Sequence, residues 1–222
     1  MSYDELLLTA NIFDLATKNG KFGNGDNYSK FETDGTLVSK GTATTYEDIF
    51  LAIHPKELGI GQPTLRTLDG DIRKYTMAVN DIYDIDCPEL LHCWEEGSGF
   101  EVHIHWATRG LNDATARGVK FKIEGLWSNI KGKGSPESFV AMTGSPFSSE
   151  KQIPANEPDL TYYNHSIFSY TPVGGKIGAC LLLSLKRIAS VNNIAPANDP
   201  WILMVGIHIK KDTSGSRTTT NK

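Results

Sequence analysis

A chain of 222 residues with 39% hydrophobic and 22% charged residues is long enough to bury one sizeable core and too apolar to remain disordered. Its formal net charge of −4 offers no basic field to hold phosphate backbones, so nucleic acid is not an expected partner. The longest apolar run, Ala179 to Leu185, is interrupted by Ser184 and closed by Lys186, far short of the ~20 residues that cross a bilayer, and no membrane partner is expected.

In chain order, residues 1–28 read as an N-terminal arm. The acidic start, Met1-Ser2-Tyr3-Asp4-Glu5, lacks the positive charge of an export signal, and Lys18 to Asn27 is a polar, Gly-rich run expected as loop. Apolar positions alternate around Asp34-Gly35 between Tyr28 and Val38, which predicts a β-hairpin. Gly41 to Ile53 is rich in Thr and large apolar residues and reads as a strand closed by His54-Pro55. Arg73 to Ile85 alternates through Tyr75, Met77, Val79 and Ile82 with a bend at Asn80-Asp81. Pro88 to Glu96 begins on proline, spaces Leu90, Leu91 and Trp94 helically and stops at Gly97, which predicts one or two helical turns. Further strands are expected over 100–108, 119–130, 138–143, 161–170, 179–190 and 201–211.

About ten strand-like runs with one short helix, punctuated by Gly, Pro, Asn and Ser, predict an all-β chain. The expected architecture is a single β-sandwich or jelly-roll domain over 29–211, with an extended N-terminal arm and hairpin. A polar tail over 212–222 has no apolar residue to anchor it. The three cysteines, Cys87, Cys93 and Cys180, form no CxxC pair. They argue against a disulfide framework and for a reducing compartment, with only a Cys87–Cys93 loop closure left open.

The residues that could carry chemistry concentrate in Phe100-Glu101-Val102-His103-Ile104-His105-Trp106. On a strand, Glu101, His103 and His105 share one face while Phe100, Val102, Ile104 and Trp106 share the other. His208 stands in the same relation to an apolar set of Trp201, Leu203, Val205, Ile207 and Ile209. If the two strands pair, Glu101, His103, His105 and His208 meet, and they are the candidates for an oligomer interface. The competing reading is a metal site in which His103 and His105 bind Zn²⁺ or Ni²⁺, with Glu101 or His208 completing the set; otherwise no cofactor is expected.

Common catalytic signatures are missing: there is no nucleophile elbow, P-loop, strand-following GxGxxG or HExxH, and the expectation is a non-enzymatic protein. A carboxylate pair assembled by the fold, as in glycosidases, stays open at this point. Asp69, Asp71, Asp81, Asp84 and Asp86 lack the spacing of an EF-hand and read as a solvated acidic edge. Trp106 and Trp201 share faces with aliphatic residues and are expected in the core, which leaves Trp94 and Trp127 as candidate sugar-stacking platforms.

Several stretches together resemble structural proteins of tailed bacteriophages. They are Phe31-Glu32-Thr33-Asp34-Gly35-Thr36-Leu37, Gly41-Thr42-Ala43-Thr44-Thr45-Tyr46-Glu47-Asp48-Ile49, Val102-His103-Ile104-His105-Trp106, Lys186-Arg187-Ile188-Ala189 and Lys211-Asp212-Thr213-Ser214-Gly215-Ser216-Arg217. The polar loop Gly110 to Arg117 departs from that pattern. The resemblance implies a β-sandwich homo-oligomer attached to the capsid, neck or tail, assembled in the bacterial cytoplasm, and it assigns no catalytic residue. The reading that follows is a homotrimeric capsid decoration or head-spike protein whose partners are itself and the major capsid protein or neck and tail proteins. A tail or neck module binding host glycans is the alternative. If the His103 and His105 faces of three copies met on an axis, protonation below the usual imidazole pKa of ~6.5 would loosen the trimer.

Overall fold

The computed structural model describes residues 13–14 (backbone), 21–32, 35–56, 60–86, 88–110, 114–192 and 194–214. Strands β1 (Phe13–Asp14), β2 (Lys21–Asn24), β3 (Asn27–Phe31) and β4 (Leu37–Lys40) form a sheet of their own. The hairpin expected around Asp34-Gly35 is the β3–β4 pair, and the polar run read as loop contributes β2. A 3₁₀ turn at Gly41–Ala43 then leads to β5 (Thr45–Leu51) in a second sheet, and the chain crosses after Ala52 into a third at β6 (Ile53–Pro55).

The hairpin of β7 (Thr64–Asp69) and β8 (Ile72–Thr76) lies in the second sheet and β9 (Ile82–Ile85) in the third. Strand β10 (Phe100–Ala107) returns to the second sheet, while β11 (Arg117–Ser128), β12 (Val140–Ala141) and β13 (Phe147–Ile153) belong to the third. Finally β14 (Tyr162–Tyr170) joins the second, β15 (Cys180–Ile188) the third and β16 (Trp201–Lys211) the second. Every strand pair is antiparallel.

Two four-strand orders carry the domain, β5-β16-β10-β14 in one sheet and β9-β15-β11-β13 in the other. Taken in chain order, every step between these eight strands changes sheet except β11 to β13. That is the double Greek-key order of a jelly roll, and it bears out the all-β sandwich read from the sequence. The inner faces alternate as the residue pattern requires: Val102, Ile104 and Trp106 of β10 and Val205, Ile207 and Ile209 of β16 face Val119, Phe121 and Ile123 of β11 and Leu181, Leu183 and Leu185 of β15. Trp106 stacks on Tyr163 at 4.4 Å between ring centres and meets Phe121 edge-on at 6.2 Å. The open edge between β13 and β14 is closed by Phe147 stacked on Phe168 at 3.9 Å.

The structure departs from the sequence reading in several places. Residues 88–96 are not helical: Glu89 bridges Cys180, Trp94 bridges Lys211, and the Leu90 N–H donates to Ala179 O at 2.8 Å. Neighbouring strand ends supply backbone partners to Leu90 and Glu95, while the Trp94 N–H closes one turn on Leu91 O at 2.9 Å, so the segment is a strap with a single turn and with Leu90 and Trp94 buried. The alternation in β16 is broken by a register shift opposite His105–Trp106, so Ile202 pairs with Trp106 and Leu203 leaves the core face. Arg73 to Ile85 is two strands in different sheets, separated by a turn at Asn80. The polar strands β7 and β13 were not expected.

The packed chain continues past Lys211. Asp212 and Thr213 are buried, with the Ser39 N–H donating to Asp212 O and the Asp212 N–H donating to Cys93 O. Cysteine usage also differs from the expectation. Cys180 is disulfide-bonded and Cys93 is a buried free thiol, so Cys87–Cys93 closure is excluded; Cys87 itself lies outside the described residues.

Several polar side chains are buried among the described residues, three of them with structural consequences. Arg187 of β15 is fully buried and donates to Met77 O at 2.6 Å and Asp199 Oδ1 at 2.5 Å, tying the loops before β9 and β16 together. Asp81, expected on a solvated edge, is buried beside it and accepts the Ala78 N–H at 2.7 Å. His165 of β14 lies between the sheets against the Phe121 ring, 2.9 Å from Ser149 Oγ. Burial, helped by Lys151, pushes its pKa down to about 4.

As pH falls from ~6.5 towards 4, the unfolded chain protonates His165 while the folded chain does not, so stability is lost across that window at roughly 1.4 kcal/mol per pH unit. Urea denaturation between pH 7 and pH 4.5 should show this fall, and His165→Gln, which keeps a hydrogen-bonding group for Ser149, should make it shallower. An equal slope in both proteins would show that His165 does not carry the effect.

Candidate functional site

The outward face of the second sheet is buried at His103, His105 and Ala107 of β10. Its residues there are Glu101, His103, His105 and Ala107, because the alternation that sends Val102, Ile104 and Trp106 inward sends these outward. Beside them β16 presents Met204, Gly206, His208 and Lys210, and β5 adds Tyr46, Asp48 and Phe50 by pairing with β16. On the other flank β14 supplies Tyr162 opposite Ala107 and Asn164 opposite His105.

Gly206 fixes the centre of this face. His103 is its cross-strand partner, and a Cβ on Gly206 would fall 2.6 Å from His103 Cε1 and nearer still to Nε2. The imidazole therefore lies flat over the bare glycine backbone, and it is only 1% exposed. His208 packs against it at a tilt of 36° with 4.2 Å between ring centres, and His105 packs edge-on at 4.8 Å. Phe50 and Tyr162 cover His105, whose Nδ1 is hydrogen-bonded to the Tyr162 hydroxyl.

Two carboxylates approach the imidazoles. Asp48 Oδ1 lies 2.5 Å from His208 Nε2 and 4.0 Å from His103 Nε2, while Glu101 Oε1 is 3.8 Å from His208 Nδ1. Burial, reinforced by the neighbouring His208 and His105, pushes the His103 pKa down to about 4, and burial also lowers that of His105. Neither ring nitrogen of His103 has a hydrogen-bond partner among the described residues. A groove of about 570 Å³ opens beside the cluster, with Tyr46, Asp48, Ser98, Glu101, Ser169 and His208 in its walls.

All four residues singled out in the sequence thus meet on one face, but they do not play equal parts. His103 is covered by its own chain and offers no surface to a neighbouring copy, whereas Glu101 and His208 are partly exposed. Acid loosening near pH 6.5 cannot come from His103, since burial keeps it neutral there. Among the described residues, the three ligand-type atoms that geometry gathers are those of Asp48, His103 and His208, within 4.8 Å of one another. Asp48 was missed because only the β5–β16 register brings it to His208. Its one sequence signal is the alternation Tyr46, Asp48, Phe50, which is silent about the neighbouring strand.

The sugar-stacking candidates do not survive folding. Trp94 and Trp127 are both buried, Trp94 under the 88–96 strap and Trp127 at the end of the inward row of β11, so neither ring presents a face to a ligand. His54 pairs with Asp86 at 2.6 Å on the surface, apart from the cluster. Comparison with known proteins adds no relative: no family model, curated protein or solved structure matches this chain.

The seat of His103 on Gly206 makes a double-mutant cycle informative. Gly206→Ala should cost about 2 kcal/mol or more by overpacking, and much less in a His103→Ala background, where the methyl group has room. Additive costs in chemical denaturation would mean that the ring and the glycine are not coupled.

Proposed function

We propose that this chain is a non-enzymatic structural protein of a bacteriophage virion, a homotrimeric capsid decoration or head-spike protein that binds the shell and stabilises or ornaments it. The observation that carries the self-association is the aromatic margin of the His-bearing face. Tyr46, Phe50 and Tyr162 are 75%, 61% and 57% exposed on β5 and β14, on either side of the half-exposed polar centre formed by Glu101 and His208. Large aromatic side chains left open on a rigid sheet are what an association surface is made of, with the polar groups between them fixing register. The occupants are the same faces of two further copies, gathered about a threefold axis.

Two further features support a virion role. The jelly-roll order is one that viral capsid domains use, an argument from fold analogy. The sequence resemblance to tailed-phage structural proteins points the same way, and a disulfide at Cys180 suits a particle released from the reducing cytoplasm in which it assembles. The shell, neck or tail proteins are the second class of partner. The alternative as a glycan-binding tail or neck module loses the platforms it was built on, since Trp94 and Trp127 lie in the core.

Light scattering on a sizing column tests the reading directly. The expected mass is three times the 24.4 kDa of the chain, falling to the single-chain mass in a Tyr46→Asp, Phe50→Asp variant that keeps its circular dichroism. A wild-type monomer across the accessible concentration range would remove self-association, and a trimer indifferent to the double substitution would move the interface elsewhere.

A further inference from the structure

We propose that Asp48, His103 and His208 form a binding site for one divalent transition-metal ion of the zinc class, built within a single chain and independent of its oligomeric state. Tetrahedral Zn²⁺ holds nitrogen and oxygen ligands at about 2.0–2.2 Å, which places neighbouring ligand atoms about 3.3 Å apart. The distances here, 2.5 Å and 4.0 Å from Asp48 Oδ1 to the two Nε2 atoms and no more than 4.8 Å across the set, bracket that value, so small side-chain rotations suffice.

A second, independent observation points to a ligand. His103 is 1% exposed, its ring is held in place by Gly206 and His208, and both of its nitrogens lack a hydrogen-bond partner among the described residues. A buried imidazole in that condition forfeits the hydrogen bonds it made to water, and coordination of one lone pair repays part of that loss. Its Nε2 faces Asp48, the direction in which an ion would lie.

The surroundings have the form of an outer shell. Glu101 Oε1 lies 3.8 Å from His208 Nδ1, on the side of that ring away from Asp48, where a carboxylate orients a metal-bound imidazole and raises its basicity. Two imidazoles and one carboxylate select zinc, nickel, cobalt or copper over calcium and magnesium, which take oxygen ligands. A fourth position would open towards the groove beside Tyr46 and Ser169.

The test is titration of the chelator-treated full chain with Zn²⁺ by calorimetry and with Co²⁺ by visible absorption. The expected result is saturation at one ion per chain, with the intense d–d bands of four-coordinate cobalt. Binding should weaken by more than about tenfold in Asp48→Asn and in His208→Asn, both at partly exposed positions that leave the core intact. His54→Ala, which removes the other surface pairing of histidine and carboxylate, should leave it unchanged. Absence of saturable uptake, uptake unaltered in the two ligand variants, or uptake lost with His54 would each overturn the site. All three ligands come from one chain, so the site needs no second copy, and metal uptake and molar mass are read separately, which lets the site and the assembly role fail separately.

Discussion

The pairing of β10 with β16 is the constraint on which the rest of the molecule depends. These two long strands lie at the centre of the second sheet, and each is paired along both edges: β10 with β14 and β16, and β16 with β10 on one side and with β8 followed by β5 on the other. Their register sets two things at once. On the inner face it aligns Val102, Ile104 and Trp106 with Ile207, Val205 and Ile202 to build half of the core. On the outer face it sets Glu101 opposite His208 and His103 opposite Gly206. A slip by one residue would exchange those faces and put imidazoles into the core, so the apolar rows enforce the polar arrangement behind them.

That enforcement explains how a polar cluster with poor local satisfaction persists. Burial costs His103, because both its nitrogens lack a hydrogen-bond partner among the described residues. It is held by the covalent path of a strand whose other face supplies three fully buried side chains, and by a glycine that leaves space for its ring. Stabilisation from the core therefore offsets the cost of the cluster. Sites of this kind, where local chemistry is unfavourable and the scaffold rigid, are where function is usually placed.

The third sheet contributes in another way. Arg187 lies on an inward position of β15, in line with Leu181, Leu183 and Leu185, and its guanidinium spans the 77–81 turn and the loop before β16. Desolvation lowers its pKa, and the neighbouring Asp199 and Asp81 act against that shift. The clamp fixes where β16 begins. The face carrying Asp48, His103 and His208 is thus aligned from one end by an ion pair and along its length by apolar packing.

The sequence by itself determined the fold class and the sidedness of the strands. Alternation with period two places Val102, Ile104 and Trp106 opposite Glu101, His103 and His105 whatever the neighbours are, because it follows from backbone geometry alone. The same rule put His208 opposite Ile207 and Ile209 correctly, and failed at Trp201 and Leu203, where the register shift depends on the partner strand. What only the tertiary structure decided are the relations between strands distant in the chain. Asp48 reaches His208 across a sequence separation of 160 residues through the β5–β16 ladder, about which the residues of β5 say nothing. The apolar spacing in 88–96 reads as a helix locally and becomes a strap because the ends of β15 and β16 offer it backbone partners. The burial of Trp94 and Trp127, the disulfide at Cys180 and the seat of His103 on Gly206 likewise belong to long-range packing. A side chain's type is local, but its exposure and its partners are properties of the assembled sheets.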